Sequence, residues 1–148
     1  MRLDLATWPE VAVYLMASTG IIIPTGSTEQ HGPMGLIGTD AICAQQIAEG
    51  AADIVEAYVA PTIAYTPAPY NTAFLGTLSV SEPVFEALVG EILDGLIQQG
   101  FEFVYFINGH GANLAPLNRA SQNLKDATIR VRSWWEFDTV NALRDEFY

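Results

Sequence analysis

With 148 residues, half of them hydrophobic and 16% charged, the chain is one domain's worth of globular sequence and not a disordered polymer. Seventeen acids against six bases leave a net charge of −11, so no basic patch for nucleic acid or an anionic membrane surface can be assembled. A single cysteine, Cys43, excludes an internal disulfide, and with no signal region after Met1-Arg2 and no apolar run of membrane length the expected address is the cytoplasm.

Thr7-Trp8-Pro9-Glu10 has capping-box spacing with proline in the first turn, so a helix is expected from there to about Ala17, apolar at Val11, Tyr14 and Leu15. Ile21-Ile22-Ile23, β-branched and followed by Pro24, read as the end of a buried strand. Gly26, Gly32, Pro33, Gly35 and Gly38 then forbid a long helix or strand, and a structured loop is expected. Thr39 or Asp40 can cap a second helix from Ala41 to about Ala52, packed closely through its alanines with Ile42 and Ile47, and with Cys43 as a small core residue. Tyr58 to Tyr65 is strand-like, and its Pro61 marks an irregularity or a sheet edge.

Thr66 to Thr77 is a Pro/Asn/Gly loop containing Tyr70 and Phe74, of a length that in compact domains is often functional. Ser81-Glu82-Pro83 opens a third helix, apolar at Val84, Leu88, Ile92, Leu96 and Ile97 and stopped by Gly100. Phe101 to Ile107 is apolar enough to lie in the centre of a sheet, and it runs into Asn108-Gly109-His110-Gly111-Ala112-Asn113. A fourth helix is expected from Leu114 to Lys125, and a strand from Thr128 to Trp135. A last helix from Asp138 onward would expose Val140, Leu143 and Phe147. Strands alternating with helices predict an α/β fold, a mainly parallel sheet between two helical layers, built as one domain over residues 1–148.

In such sheets ligands gather beyond the carboxyl ends of the strands. Both histidines of the chain, His31 and His110, sit in loops leaving a strand at that edge, and Glu29 and Asp40 join them there. A surface turn carrying polar residues is the plain alternative; four ligand-type residues on one rim favour a metal site. Imidazole with carboxylate suits zinc, manganese or iron better than calcium or copper. Glu29 and His31, two apart, point the same way in extended chain, and Asp40 can bridge two ions through its two oxygens. Glycines beside His110 allow close approach of backbone and leave room for a substrate. Ser27, Ser79 and Ser81 lack a triad context and are not read as nucleophiles.

Taken together, Ile22 to Pro33, Gly38-Thr39-Asp40, Phe74-Leu75-Gly76-Thr77-Leu78-Ser79 and Asn108 to Asn113 resemble the creatininase (creatinine amidohydrolase) family, over nearly the whole chain. The resemblance implies a parallel-sheet α/β/α domain, two divalent metal ions per site, zinc and/or manganese, and hydrolysis of a cyclic or linear amide by activated water. It also implies a homo-oligomer, commonly a hexamer. By resemblance Glu29, His31, Asp40 and His110 are metal ligands, with Asp40 bridging; no residue is assigned as general acid. Met34 stands where many members have histidine, which alters the pocket wall. Gly111 and Ala112 replace the Tyr-Glu of creatininase proper, whose Glu is a further ligand, so creatinine is not the expected substrate. Family members continue well beyond position 148, so the chain is expected to be an N-terminal part of the family domain.

Two residues compete for the vacant fifth-ligand role. Glu82 is already explained by its helix dipole; Glu136, at the ligand edge just past the strand Thr128 to Trp135, is the better candidate of the two, but reads first as an exposed acid in a helical first turn. Two other functions are carried beside the amidohydrolase: a non-catalytic metal-binding or assembly subunit of the same fold, and a member hydrolysing a formamide in a cofactor or nucleotide pathway.

Overall fold

The computed structural model describes residues 1–122, 124 and 126–147. Four strands, β1 (Gly20–Thr25), β2 (Tyr58–Val59), β3 (Phe103–Asn108) and β4 (Thr128–Ser133), form one wholly parallel sheet in the order β2-β1-β3-β4. β1 and β3 pair along six residues each, from Gly20 opposite Phe103 to Thr25 opposite Asn108, so the two loops singled out above leave neighbouring strands side by side. That register is what brings His31 and His110 to one place.

Alternation along the strands feeds two cores. Ile21, Ile23, Val104 and Phe106 point to one face, where they meet α1 (Trp8–Leu15), α3 (Glu82–Gln98) and α4 (Leu114–Ala120). Ile22, Val59 and Ile107 point to the other, against α2 (Thr39–Val55). Ala44, Ala48 and Ala52, at every fourth residue, are fully buried, and their small side chains let α2 lie directly on the sheet. The three-layer α/β/α arrangement expected from the sequence is therefore present. The last helix, α5 (Asp138–Phe147), follows a turn at Trp134–Glu136 and leaves Leu143 and Phe147 exposed, with Val140 half-buried.

Several expectations need correction. Tyr58 to Tyr65 is not one strand: ladder pairing covers two residues, lapses around Pro61, and returns as a single bridge between Ile63 and Thr25. Proline has no N–H to continue the ladder, which is tolerable because β2 is the sheet edge. The buried stripe of α3 is Phe85, Val89, Leu93 and Leu96, one residue round from the expected one, and Val84 and Leu88 face solvent. Ile42 is exposed and Cys43 half-buried, so neither belongs to the core. The helix α2 starts after Gly38, capped by neither Thr39 nor Asp40, because the Thr39 hydroxyl donates to the Leu36 carbonyl and Asp40 is engaged elsewhere. The fourth helix stops at Ala120, where the Ser121 hydroxyl turns back to the Leu117 carbonyl. Of its expected last turn, Asn123 and Lys125 lie outside the described residues. β4 ends at Ser133, whose N–H donates to the Glu136 carboxylate, so Trp134 and Trp135 lie in a turn.

Candidate metal centre

Glu29 and His31 come from the loop after β1, His110 from the loop after β3, and Asp40 from the first turn of α2. A helix N-terminus favours a carboxylate, and here it presents one to the sheet edge. Two glycines make the approach close enough. A Cβ on Gly26 would overlap the backbone of Asp40 and Ala41, and one on Gly109 would overlap the Asp40 carbonyl oxygen. At Gly111 there is open space, so that glycine leaves room and is not needed for packing.

Glu29, His31 and Asp40 offer ligand atoms that all lie within 4.8 Å of one another. His110 joins them through Nδ1, which is 2.9 Å from Asp40 Oδ2 and 3.4 Å from Glu29 Oε1. On the other side, His31 Nε2 is 3.0 Å from Asp40 Oδ1. Each oxygen of Asp40 thus faces a different imidazole.

Both rings are fixed from behind by backbone carbonyls. His31 Nδ1–H donates to the Glu29 carbonyl at 3.1 Å, and His110 Nε2–H donates to the Pro67 carbonyl at 2.9 Å. A carbonyl can only accept, so in each neutral ring the nitrogen turned inward carries the lone pair. Lone pairs then face carboxylate oxygens, an arrangement that is stable only with a cation between them, either a proton or a metal ion. Ligand atoms around one tetrahedral zinc stand about 3.3 Å apart, and the inward distances here, 2.9–3.4 Å, suit either a shared proton or, with a small expansion, an ion. The residues present fit a divalent ion.

The proton version of the same attraction appears in the acid–base behaviour. Burial pushes the His110 imidazolium down, but the hydrogen bond to Asp40, the Glu29 charge and the Pro67 carbonyl outweigh it, and its pKa is raised. His31 is likewise lowered by burial and raised further by the Glu29 carbonyl and by Asp40, with a net rise. For Asp40 burial raises the carboxyl, while hydrogen bonds from His110 and Ser27 and the two imidazolium charges hold it below the ordinary range.

Polar neighbours assigned no role from the sequence alone support this cluster. The Ser27 hydroxyl donates to Asp40 Oδ2 at 2.9 Å, and the Asn71 amide donates to Glu29 Oε2 at 2.8 Å. Asn108 grips the backbone of His110 from both sides, accepting its N–H and donating to its carbonyl at 2.8 Å. Asn108 and Asn113 are fully buried and hydrogen-bonded to each other at 3.2 Å. The long loop at 66–77 was legible as functional, but nothing in it pointed to Asn71 or to the Pro67 carbonyl. Both reserve carboxylates are engaged elsewhere: Glu82 pairs with Arg119 at 2.7 Å, and the exposed Glu136 caps the turn after β4.

Residues 4–148 match the family model for creatinine amidohydrolase. The mycofactocin precursor peptide peptidase of Mycolicibacterium smegmatis is 35% identical over 106 residues, 68% of this chain and 42% of that protein. The 3-dehydro-scyllo-inosose hydrolase of Thermotoga maritima is 36% identical over 131 residues, 86% of this chain and 41% of that protein. A crystal structure of creatinine amidohydrolase superposes on 99% of this chain and 62% of its own with a TM-score of 0.90 at 22% identity, a likeness of fold. The matched stretch covers less than half the length of each of these two curated relatives.

Proposed function

Because the chain belongs to the creatininase family, we propose that it forms the metal-binding part of a hydrolase that cleaves an amide C–N bond with water. One observation carries the reading: Asp40 presents its two oxygens to two imidazoles whose tautomers are set by carbonyls. Glu29, Asp40 and His110 would hold one divalent ion, and His31 with the second oxygen of Asp40 would contribute to another. Zinc and manganese are the favoured ions, since the solved creatininases include a manganese form and a zinc–zinc form. When bound, such ions supply the Lewis acidity that makes water nucleophilic near neutral pH and polarises a carbonyl.

The chain's own residues bind and orient. Ser27 and Asn71 direct the two carboxylates, and the Glu29 and Pro67 carbonyls hold the imidazoles. The His31 side chain is 26% exposed against 10–13% for the other three, so a substrate approaches from its side. Beside His31 lies a space of about 450 Å³ walled by Pro33, Ile37, Phe74 and Leu75, with room for an apolar substituent on the amide. No residue is assigned as the general acid for the leaving nitrogen.

Creatinine is a poor candidate substrate. Gly111 and Ala112 supply no carboxylate where creatininase has one, and the peptidase among the relatives is named for a peptide substrate. The second reading, a metal-binding or assembly subunit without turnover, is favoured by one observation. On the His31 side, among the described residues, Asp40 is the one carboxylate within ion-pair distance of the imidazole, and Glu29 stands further off. Assembly into a homo-oligomer and residence in the cytoplasm belong to the same proposal and rest on the family and on Cys43 being the single cysteine; no helix among the described residues is long and apolar enough to cross a membrane.

The deciding experiment is elemental analysis of the purified chain and of Asp40→Ala, with a hydrolysis screen of creatinine, formamides, lactams and peptides in added zinc or manganese. The wild type should retain a divalent transition metal, and the variant should lose most of it. Equal metal in both would remove Asp40 from the site. Creatinine turnover should be weak or undetectable; its efficient hydrolysis would overturn the substrate argument. Metal without turnover of any amide would favour the non-catalytic reading.

A further inference from the structure

Glu29 is the one carboxylate of the site held by a side chain from the loop at 66–77, and the orientation of that contact can be read without ambiguity. The Gly32 N–H can only donate, and it donates to Gln30 Oε1 at 2.8 Å. Gln30 therefore turns its Nε2 toward Asn71, where it donates to Oδ1 at 2.9 Å. The Asn71 amide in turn has only its Nδ2 to offer Glu29, and it donates to Oε2 at 2.8 Å. Each amide's orientation follows from the one before, starting from a backbone group that cannot reverse. The outcome is that Oε2 carries the Asn71 hydrogen bond and Oε1 is turned to His110, at 3.4 Å.

From this relay we infer that Asn71 is a positioning residue, which fixes Glu29 as a one-oxygen ligand on the His110 side of Asp40. The inference rests on the metal reading above and adds to it a residue outside the four candidate ligands. The same loop supplies the Pro67 carbonyl that orients His110, so one segment sets two of the three groups on that side. Among the described residues the His31 ring makes no hydrogen bond to that loop: its partners are the Glu29 carbonyl of its own segment and Asp40. Loss of Asn71 should therefore act on one ion and spare the other. Partners that orient a metal ligand typically carry 10–100-fold in affinity.

The test is zinc titration of the metal-free chain by calorimetry, with the visible spectrum of the cobalt-substituted chain as a second readout. Asn71→Leu keeps the side-chain size and removes the donor; Gln30→Met removes the group that orients the amide. Thr72→Ala is the control, since Thr72 braces the same loop through the Pro69 carbonyl and does not touch Glu29. Asn71→Leu should weaken one zinc event about 10–100-fold, leave any second event unchanged, and alter the cobalt spectrum as Glu29 changes its mode of contact. Gln30→Met should do the same to a smaller degree, and it stands in if Asn71→Leu does not fold. Zinc affinity within twofold of wild type in both variants, with an unchanged cobalt spectrum, would overturn the inference. So would an equal loss in Thr72→Ala, which would assign the effect to loop stability. If the wild type itself binds no zinc, the metal reading fails and this one with it.

Discussion

Asp40 is where the local physics concentrates. Its carboxylate stands at a helix N-terminus, accepts from Ser27, and separates two imidazoles whose protons are held by its charge. The direction of pH dependence follows. The raised pKa values of His31 and His110 mean that, in the metal-free chain, their ion pairs stabilise the fold fully below the free imidazole value of about 6.5, and that this contribution fades as pH rises through the folded values. Asp40 runs the other way: its contribution is present above the free carboxyl value of about 3.9 and is lost as pH falls through its lowered one. A divalent ion has to displace the imidazole protons. Its affinity should therefore rise with pH across the histidine window, with protons released on binding. Calorimetry in two buffers of different ionisation enthalpy measures that release directly. Affinity that stays flat between about pH 6 and 8 would contradict the pairing.

At the scale of elements, α3 makes the sharpest case. The helix is apolar around much of its circumference, so Val84 and Leu88 compete on paper with Phe85, Val89 and Leu93 for the core. Packing against Phe106 and Leu117 selects the second set: Leu93 is fully buried while Leu88 is 42% exposed. Leu93→Ala should then cost about 2–5 kcal/mol through lost burial and the cavity left behind. Leu88→Ala should change stability by less than about 1 kcal/mol. Urea unfolding of the two variants separates them, and equal losses would mean that the helix is rotated from the position described. The same logic explains α2, where alanines at every fourth position were legible as a close-packing face but Ile42 was not legible as solvent-facing.

For the molecule as a whole, the two faces of the sheet are unequally covered. One carries α1, α3 and α4; on the other, α2 shields part of the sheet. Alongside α2 runs a groove of about 490 Å³ lined by Ile47, Val55, Phe103, Tyr105 and Phe137, and Leu143 and Phe147 on α5 are exposed as well. Apolar surface of this extent attracts hydrophobic probes. The folded 148-residue chain should enhance the fluorescence of anilinonaphthalene sulfonate while keeping a cooperative thermal transition, and Val55→Glu should reduce the enhancement. Dye fluorescence no higher than in buffer would show that the groove is closed in solution.

What the amino-acid sequence determined by itself was the order and type of the elements and the four residues that meet at the sheet edge. The reasons are local: β-branched runs, proline and glycine at fixed positions, and the rule that loops at the carboxyl ends of parallel strands converge. Where strands end, which way an all-round apolar helix faces, and where Pro61 breaks an edge strand were decided only by packing and pairing with distant segments. The supports of the site belong to the same class. Asn71 reaches Glu29 across 42 positions and the Pro67 carbonyl reaches His110 across 43. A hydrogen bond between groups so far apart has no period or spacing in the chain to announce it; it exists because β2 with its Ile63 bridge lies on one side of β1 and β3 on the other, so that their following loops meet at one edge.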